Sequence, residues 1–299
     1  MPKIPAVPDF GVGPAPVVGT PVELAPGLVR LTAPNPGLMT GPGTNTYLIG
    51  TNALAVVDPG PDHAGHRQLI LEAAAGRGSI RWVLVTHTHV DHAPGAAALA
   101  EATGAQVIGF GPADGFAPDL TVGEGWTLRL SGSASRTVQA VHTPGHASDH
   151  VCWLLPESRT LLTGDHVMHG STVVIRPPDG DLGQYLASLD RLRHFDPPLR
   201  TLAPGHGRLM EHVDEVAGAL IAHRLGRHER VAEALGTVTT ATVDDLLPSV
   251  YEDVSQPQLP VARFSLWAHL RHLSAQGRAE AVDAASGDDT IETVWRAVA

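Results

Sequence analysis

The residues best suited to chemistry form the run Thr86-His87-Thr88-His89-Val90-Asp91-His92. Alternate residues of an extended chain point to the same side, so we expect His87 and His89 to converge. Asp91 and His92 follow where the chain turns towards the next helix. Four ligand-type side chains within six residues exceed what one tetrahedral zinc ion needs, and suit two adjacent metal ions. The run therefore predicts a metal centre.

Three later segments resemble the rest of such a cage. Each has a ligand-type residue beside a glycine just after an apolar strand; they are His142-Thr143-Pro144-Gly145-His146, Thr163-Gly164-Asp165-His166 and Ala203-Pro204-Gly205-His206-Gly207. Glycine permits a tight loop that brings the neighbouring side chain inward. An aspartate among histidines can also bridge two cations and neutralise part of their charge. Asp58, at the end of an earlier strand, is expected to support the site indirectly or to shape a turn.

Short strands that alternate with helices must position these side chains. The apolar run Trp82–Thr86 is typical of a strand buried on both faces. The other predicted strands are Leu28–Leu31, Thr46–Ile49, Ala53–Val57, Gln106–Ile108, Trp126–Leu130, Thr137–Val141, Val151–Leu155 and Thr160–Leu162. Helices are predicted at His63–Ala75, Ala96–Thr103, Leu182–Leu192 and Val213–Leu235. This order favours an α/β (α+β) protein in which helices cover sheets.

The chain divides into residues 1–235, which begin with a Pro/Gly-rich arm at 1–19, and residues 236–299. The second part starts with two predicted helices, Thr242–Tyr251 and Gln258–Gln276. The segments Ala279–Val282 and Ile291–Trp295 then flank a turn at Ser286-Gly287-Asp288-Asp289. Two helices and a two-stranded wing indicate a small winged-helix domain.

Composition narrows the classes of function. Of 299 residues, 43% are hydrophobic and 17% are charged, which excludes a disordered chain. The chain has a single cysteine, Cys152, which excludes a disulfide framework. Because Cys152 lies within a predicted apolar strand, we expect it to be an inert core thiol. No export signal or membrane-length apolar run is found, so a cytoplasmic location is expected. The net charge of −11 opposes binding to phosphate backbones.

The ordered set His87, His89, Asp91, His92, His146, Asp165 and His206 resembles the ligands of the metallo-β-lactamase fold superfamily. The resemblance implies a four-layer αββα sandwich with a dinuclear site at the sheet edges. It also implies that His87, His89 and His146 hold one metal, that Asp91, His92 and His206 hold the second, and that Asp165 bridges them. The segment Thr40–Leu48 and the winged-helix tail are similar to the endoribonuclease-type beta-lactamase-like protein 2 group, to which fungal polyketide thioesterases are also similar.

A dinuclear site of this kind predicts a hydrolase that uses a metal-bridging hydroxide. Asp91 is the candidate catalytic residue, since it could both ligate a metal and shuttle a proton. Zinc is the expected metal, with manganese or iron as alternatives, because His/Asp ligands accept all three. His142 is expected to orient His146 or to cap a loop.

The predicted substrate is a small ester, thioester or lactone, and the candidate substrate contacts are Tyr47, His166, His169 and Arg176. Arg176 would suit an anionic group on such a substrate. A metal-dependent endoribonuclease acting on single-stranded RNA is the alternative. A non-catalytic binding protein is disfavoured because all seven ligand positions are filled.

Charge argues against the nuclease. Residues 237–299 contain nine acidic residues and four arginines, a net charge of −5, whereas nucleic-acid binding normally needs a basic stripe. The tail helix offers only Arg263 and Arg271. Its His269 and His272 are expected to be exposed or to face a partner, and its apolar residues favour a homodimer.

Overall fold

A computed structural model describes residues 4–113, 115–132, 136–282, 284 and 288–298. The strands in chain order are β1 (Gly11–Val12), β2 (Val22–Ala25), β3 (Leu28–Thr32), β4 (Asn45–Ile49), β5 (Asn52–Val57), β6 (Gly78–Leu84), β7 (Gln106–Gly109), β8 (Leu120–Thr121), β9 (Thr127–Leu130), β10 (Arg136–His142), β11 (Val151–Leu155), β12 (Thr160–Gly164), β13 (Thr201–Pro204), β14 (Leu209–Met210), β15 (Ala279–Ala281) and β16 (Trp295–Ala297). The helices are α1 (Ala64–Ala74), α2 (Gly95–Thr103), α3 (Leu182–Leu192), α4 (Val213–Gly236), α5 (Val243–Val250) and α6 (Leu259–Ala275).

Two seven-stranded mixed sheets form the larger part of the molecule. The first has the strand order β2-β3-β4-β5-β6-β7-β8, and the second has the order β1-β14-β13-β12-β11-β10-β9. In the first sheet β5, β6, β7 and β8 run parallel, and in the second β12 and β13 run parallel. Loops after parallel neighbours leave from the same sheet edge, where ligand-bearing loops can meet.

Three apolar cores separate four layers. Between the two sheets lie side chains such as Ile49, Leu84, Trp153 and Leu162. The outer face of the first sheet packs on α1 and α2, and that of the second sheet packs on α3 and α4. Helix α3 shows the cause most clearly, because Leu182, Tyr185, Leu189 and Leu192 recur at helical spacing and form one buried stripe. The predicted αββα sandwich is confirmed.

The C-terminal winged-helix domain is also confirmed. Its core joins α5, α6 and the β15–β16 pair to the last turns of α4. A capping box at Thr242 and Asp245 fixes the start of α5, since each residue accepts a hydrogen bond from the other's backbone N–H. Because α4 contributes to both cores, the exact division at residue 235 stays a prediction.

The structure corrects some predicted elements. The second wing strand covers Trp295–Ala297 and not Ile291–Trp295, because Trp295 is the residue that anchors the wing in the core. The turn predicted between the wing strands includes residues 286 and 287, which lie outside the described residues. Within the predicted arm, residues 11 and 12 form β1 and pair with β14. Among the described helices, none is both long and apolar enough to cross a membrane.

His269 corrects the expectation for the tail helix. It is only 1% exposed and packs beside His228 in the interior. Among its apolar neighbours on α6, Leu266, Leu270 and Leu273 are buried in the domain core. The homodimer and the cytoplasmic location stay predictions.

Candidate metal centre

The loops that carry the predicted ligands meet at one edge of the sandwich. His87, His89, Asp91 and His92 follow β6 of the first sheet. The other ligands follow strands of the second sheet: His146 comes after β10, Asp165 after β12 and His206 after β13. The site therefore lies between the two sheets, and each sheet supplies about half of it.

Hydrogen bonds between the sheets fix their register at this edge. The backbone N–H of Asn45 donates to the Gly205 carbonyl at 2.7 Å, and its side-chain amide donates to the carbonyls of Pro204 and Gly207. On the other side, the N–H of Val151 donates to the Thr86 carbonyl at 2.7 Å. Asn45 was not predicted as a functional residue. The signal in the sequence was a polar run, Thr44-Asn45-Thr46, at the start of an apolar strand, and the structure buries all three residues.

Three imidazoles form a first group. The Nδ1 atom of His89 lies 2.9 Å from Nε2 of His87 and 3.0 Å from Nε2 of His146. His87 and His146 are buried, whereas His89 is exposed. This group has the dimensions of a three-ligand metal site.

A second group consists of Asp91, His92 and His206. The Oδ2 atom of Asp91 lies 3.3 Å from Nε2 of His206 and 3.5 Å from Nε2 of His92. Asp165 faces both groups. Its Oδ1 lies 3.4 Å from His92 Nε2 and 3.2 Å from His206 Nε2, and its Oδ2 lies 3.8 Å from His146 Nε2.

The hydrogen bonds of the imidazoles leave lone pairs aimed at the centre. His146 Nδ1 donates to the Val174 carbonyl at 2.7 Å, and His206 Nδ1 donates to the Gly43 carbonyl at 3.3 Å. His92 Nδ1 donates to Asp58 at 2.8 Å. Since a neutral imidazole carries only one N–H, Nε2 is the atom that each of these histidines, in its neutral form, presents to a cation.

Asp58 also sets the tautomer of His87 through Thr86. The Thr86 hydroxyl donates to Asp58 Oδ2 at 2.7 Å, so it must accept from Nδ1 of His87 at 3.0 Å. Asp58 accepts a third bond from the Thr86 backbone N–H at 2.8 Å. The expectation that Asp58 supports the site is confirmed, and the supporting role of Thr86 is an addition to it.

These residues fit a divalent cation. Two buried atoms inside the cluster, His92 Nε2 and Asp165 Oδ1, have no hydrogen-bond partner. Imidazole nitrogens and carboxylate oxygens that converge at these distances can act together as ligands of one cation, which would take the place of protons held between them. The His/Asp groups could therefore hold metal ions.

The pKa values divide the cluster into two kinds of group. Burial, followed by the neighbouring imidazoles, holds the pKa of His87 well below its ordinary value. Burial would also lower the pKa of His206, but Asp165 and Asp91 outweigh it and raise this pKa to about 9. Burial would raise the pKa of Asp165, yet His206 and His92 keep it well below its usual range. The carboxylates are therefore ionised, and protons held by the histidines beside them are those that a cation would displace.

Small residues beside the ligands make the close approach possible. A Cβ at Gly205 would lie 2.7 Å from His92 Cε1 and 2.8 Å from Asp165 Oδ1. At Gly164, whose φ is +46°, it would lie 2.6 Å from the Thr86 hydroxyl. Glycine is thus required at both positions by the space inside the cluster.

A cavity of about 470 Å³, here called the metal pocket, opens on the cluster. His89, Asp91, His146 and Asp165 lie on its floor. Its walls are mainly apolar, with Thr40 and Thr88 beside the apolar residues Met39, Val90, Met168, Val173, Val174, Val261 and Phe264. Arg176 also lines it and stacks over Phe264 of α6, with its guanidinium carbon 4.6 Å from the ring centre. The C-terminal domain therefore supplies part of the pocket wall.

Three of the four predicted substrate contacts do not line this pocket. Tyr47 is 2% exposed and its hydroxyl donates to the Pro204 carbonyl, because β4 turns this side chain into the core between the sheets. His166 is fully buried beside Tyr185. His169 binds Asp9 of the N-terminal arm at 2.7 Å. Only Arg176 lies where it was expected.

Other expectations are resolved by burial. Cys152 is buried, which raises the pKa of its thiol to about 12, as expected for an inert core residue. Of the two roles expected of His142, the structure shows no contact with His146; the ring stacks on Phe110, and its Nε2 donates to the Ser148 carbonyl at 3.1 Å, which fits a cap on the loop that carries His146. His150 is buried and accepts a hydrogen bond from the Asp165 backbone N–H at 3.2 Å, so it supports that loop.

Comparison with known proteins adds an independent observation. Residues 39–206 match the profile of the Metallo-beta-lactamase superfamily, and residues 242–288 match the Beta-lactamase associated winged helix domain. The chain is 35% identical over 225 residues to the Aspergillus fumigatus "Atrochrysone carboxyl ACP thioesterase", covering 72% of this chain and 67% of the relative. It is 28% identical over 275 residues to the Drosophila melanogaster "Beta-lactamase-like protein 2 homolog", covering 86% and 90%. A solved "Beta-lactamase domain protein" from Burkholderia ambifaria superimposes with a TM-score of 0.80 at 22% identity and 95% coverage of both chains.

Proposed function

The chain belongs to the metallo-β-lactamase superfamily, whose members are hydrolases, and we propose that it hydrolyses a small ester, thioester or lactone with two divalent metal ions. His87, His89 and His146 would hold one ion, Asp91, His92 and His206 the other, and Asp165 both. Zinc is the proposed metal because nitrogen and carboxylate ligands suit it, although manganese and iron accept the same ligands.

The observation that carries the proposed substrate class is the lining of the metal pocket. Its walls are mainly apolar, and they stand directly over the His/Asp cluster. Such a cavity lowers the free energy of an apolar acyl group through burial, whereas it offers little to a chain of phosphates. A relative named as a thioesterase is consistent with this choice.

The residues of this chain divide the work by position. Bound ions would supply a water-derived nucleophile at neutral pH and stabilise the charge that develops on the carbonyl oxygen. Asp91 lines the metal pocket, so its carboxylate can take a proton and return it to the leaving group. The Thr44 hydroxyl accepts a hydrogen bond from Asn35 and donates one to Asp91 Oδ2 at 3.3 Å, which orients the carboxylate. The apolar walls exclude bulk water around the reacting carbonyl.

The winged-helix domain and the similarity to beta-lactamase-like protein 2 favour RNA cleavage as the second candidate. The arginines available for it are already paired. Arg263 binds Asp244 and Glu292, and Arg271 lies 3.6 Å from Asp289. These pairs leave little positive charge for a phosphate backbone.

A side-by-side assay tests the proposal. The metal-loaded protein is given single-stranded RNA, acyl-coenzyme A thioesters and lactones, and Asp91→Ala is compared with Asp214→Ala, an exposed carboxylate remote from the pocket. We expect hydrolysis of a thioester, ester or lactone that Asp91→Ala nearly abolishes and Asp214→Ala leaves unchanged. Cleavage of RNA alone, lost in Asp91→Ala, would overturn the proposed substrate class.

A further inference from the structure

A second cavity of about 230 Å³, here called the arginine cavity, adjoins the metal pocket. The two share five lining residues, Met39, Met168, Val173, Val174 and Val261. The far side of the arginine cavity is formed by Arg224 and Arg227 of α4 and by Tyr251 and Asp253 after α5. A ligand bound over the cluster in the mainly apolar metal pocket therefore lies next to a cavity whose lining includes charged side chains.

Arg224 is buried at this cavity without a carboxylate partner. It is 4% exposed, and its Nε has no hydrogen-bond partner. One terminal nitrogen donates to the Val173 carbonyl, and the guanidinium lies 5.4 Å from the centre of the Tyr185 ring. None of the ion pairs among the described residues includes Arg224. A buried guanidinium in this condition is costly, and an anion beside it would offset the cost.

The neighbouring arginines of α4 differ from Arg224. Arg227 makes a two-point bond to Asp253, with distances of 2.7 and 2.9 Å, and Arg230 lies 3.4 Å from both Glu252 and Asp253. Asp253 is the only carboxylate among the described residues that line the cavity, and Arg227 already occupies it. The unbalanced charge of the arginine cavity is therefore that of Arg224.

One short segment connects Arg224 to the metal centre. The Val173 carbonyl accepts from Arg224, and the next carbonyl, that of Val174, accepts from His146 Nδ1. Both valines line both cavities. Because Arg224 and His146 donate to neighbouring carbonyls of one segment, Arg224 has a defined position relative to the cluster.

We propose that the arginine cavity binds an anionic group of the substrate, a carboxylate or a phosphate, which Arg224 recognises while the reacting carbonyl lies in the metal pocket. This inference rests on the proposed function and narrows its substrate class to anionic esters, thioesters or lactones. Arg224 is a specificity-determining residue in this account. Its planar fork matches either anion through two parallel hydrogen bonds.

The test measures binding to the metal-loaded protein by calorimetry. Straight-chain dicarboxylates of increasing length are compared with monocarboxylates of the same length, so that one carboxylate is common to each pair. A third set carries a phosphonate in place of the second carboxylate and distinguishes the two anions. For the length that spans both cavities, we expect the dianion to bind about tenfold to a hundredfold tighter. Arg224→Met should remove this difference, and Arg224→Lys should retain part of it.

A second pair of variants protects the test against a misfolded Arg224→Met protein. Thr172 is partly exposed and lines the arginine cavity. Thr172→Glu would supply a tethered carboxylate and should abolish the preference for the dianion, while the neutral, equally large Thr172→Gln should retain it. Equal binding of both members of every pair by the wild type, or an unchanged preference in Thr172→Glu and Arg224→Met, would overturn the inference.

Hydrolysis separates this inference from the proposed function. If the wild type prefers the dianion but hydrolyses no ester, thioester or lactone, the proposed function fails and the anion site stands. If it hydrolyses neutral and anionic substrates equally well and shows no binding preference, the proposed function stands and the anion site fails.

Discussion

Asp58 offers the sharpest test of how the metal centre is built, because it is 2% exposed and does not itself belong to the cluster. Its two carboxylate oxygens accept three hydrogen bonds, from the Thr86 N–H, the Thr86 hydroxyl and His92 Nδ1. Replacement by alanine leaves the N–H and the imidazole without an acceptor. The hydroxyl can rotate towards His87 Nδ1, 3.0 Å away.

The expected losses of stability and metal affinity in Asp58→Ala follow from these hydrogen bonds. Two buried donors left unpaired, at about 1–3 kcal/mol each, lower the free energy of unfolding by about 2–6 kcal/mol. The rotated hydroxyl makes Nδ1 of His87 an acceptor and thereby moves its proton to Nε2, the atom aimed at the cluster. Since His87 and His92 lie in different groups of the cluster, we expect Asp58→Ala to weaken binding of both ions by about tenfold to a hundredfold.

Metal affinity is measured by competition with a chelator, and stability by urea unfolding. Asp58→Asn keeps the shape but has one acceptor oxygen, so it should weaken metal binding while losing less stability. Asp62→Ala, which removes an exposed partner of Arg67, is the control and should change neither. An Asp58→Ala protein that binds metal within about twofold of the wild type would refute the reasoning about the imidazole tautomers.

Three further predictions follow from single positions. Tyr47→Phe should lower the free energy of unfolding in urea by about 1 kcal/mol, because the hydrogen bond to Pro204 is lost, and should leave KM unchanged. Arg176→Met, in the pocket wall, should raise KM. A raised KM in Tyr47→Phe would contradict the placement of Tyr47 in the core. Gly205→Ala should reduce the metal content measured by mass spectrometry, because the added methyl group would enter the cluster. The far-ultraviolet circular dichroism should change little, and a full metal content in the variant would contradict this prediction. Burial, then His228, holds the pKa of His269 well below its ordinary value of 6.5. The contribution of the neutral imidazole to the free energy of unfolding is therefore complete above that pH and falls as the pH drops, by about 1 kcal/mol per pH unit in urea unfolding. His269→Gln should lose correspondingly less stability on acidification, and an identical loss in the variant would exclude His269 as a source.

The sequence predicted the cluster of His and Asp side chains well because spacing along the chain carries most of its geometry. His87 and His89 converge since they are two residues apart, and the ligands beside Gly164 and Gly205 turn inward as tight loops require. Asp58 was recognised for a similar reason, since it ends a buried strand at the ligand-bearing edge.

Residues whose roles depend on contacts between distant segments were harder to predict. Tyr47 looked like a pocket residue, but strand alternation does not tell which of two sheet faces meets a second sheet. His269 looked exposed because a histidine on a helix usually is, and only the packing of α4 against α6 buries it. Arg224 gave no local signal at all, since its role is inferred from the lack of an ion-pair partner for it among the described residues, in a cavity built by several segments.

The central claim is that seven His/Asp residues hold two metal ions. Elemental mass spectrometry of protein purified without added metal tests it most directly, with His146→Ala and His206→Ala alongside the wild type. We predict about two divalent ions per wild-type chain and a loss of about one ion in each variant. Fewer than one ion per wild-type chain, or full occupancy in both variants, would contradict the account.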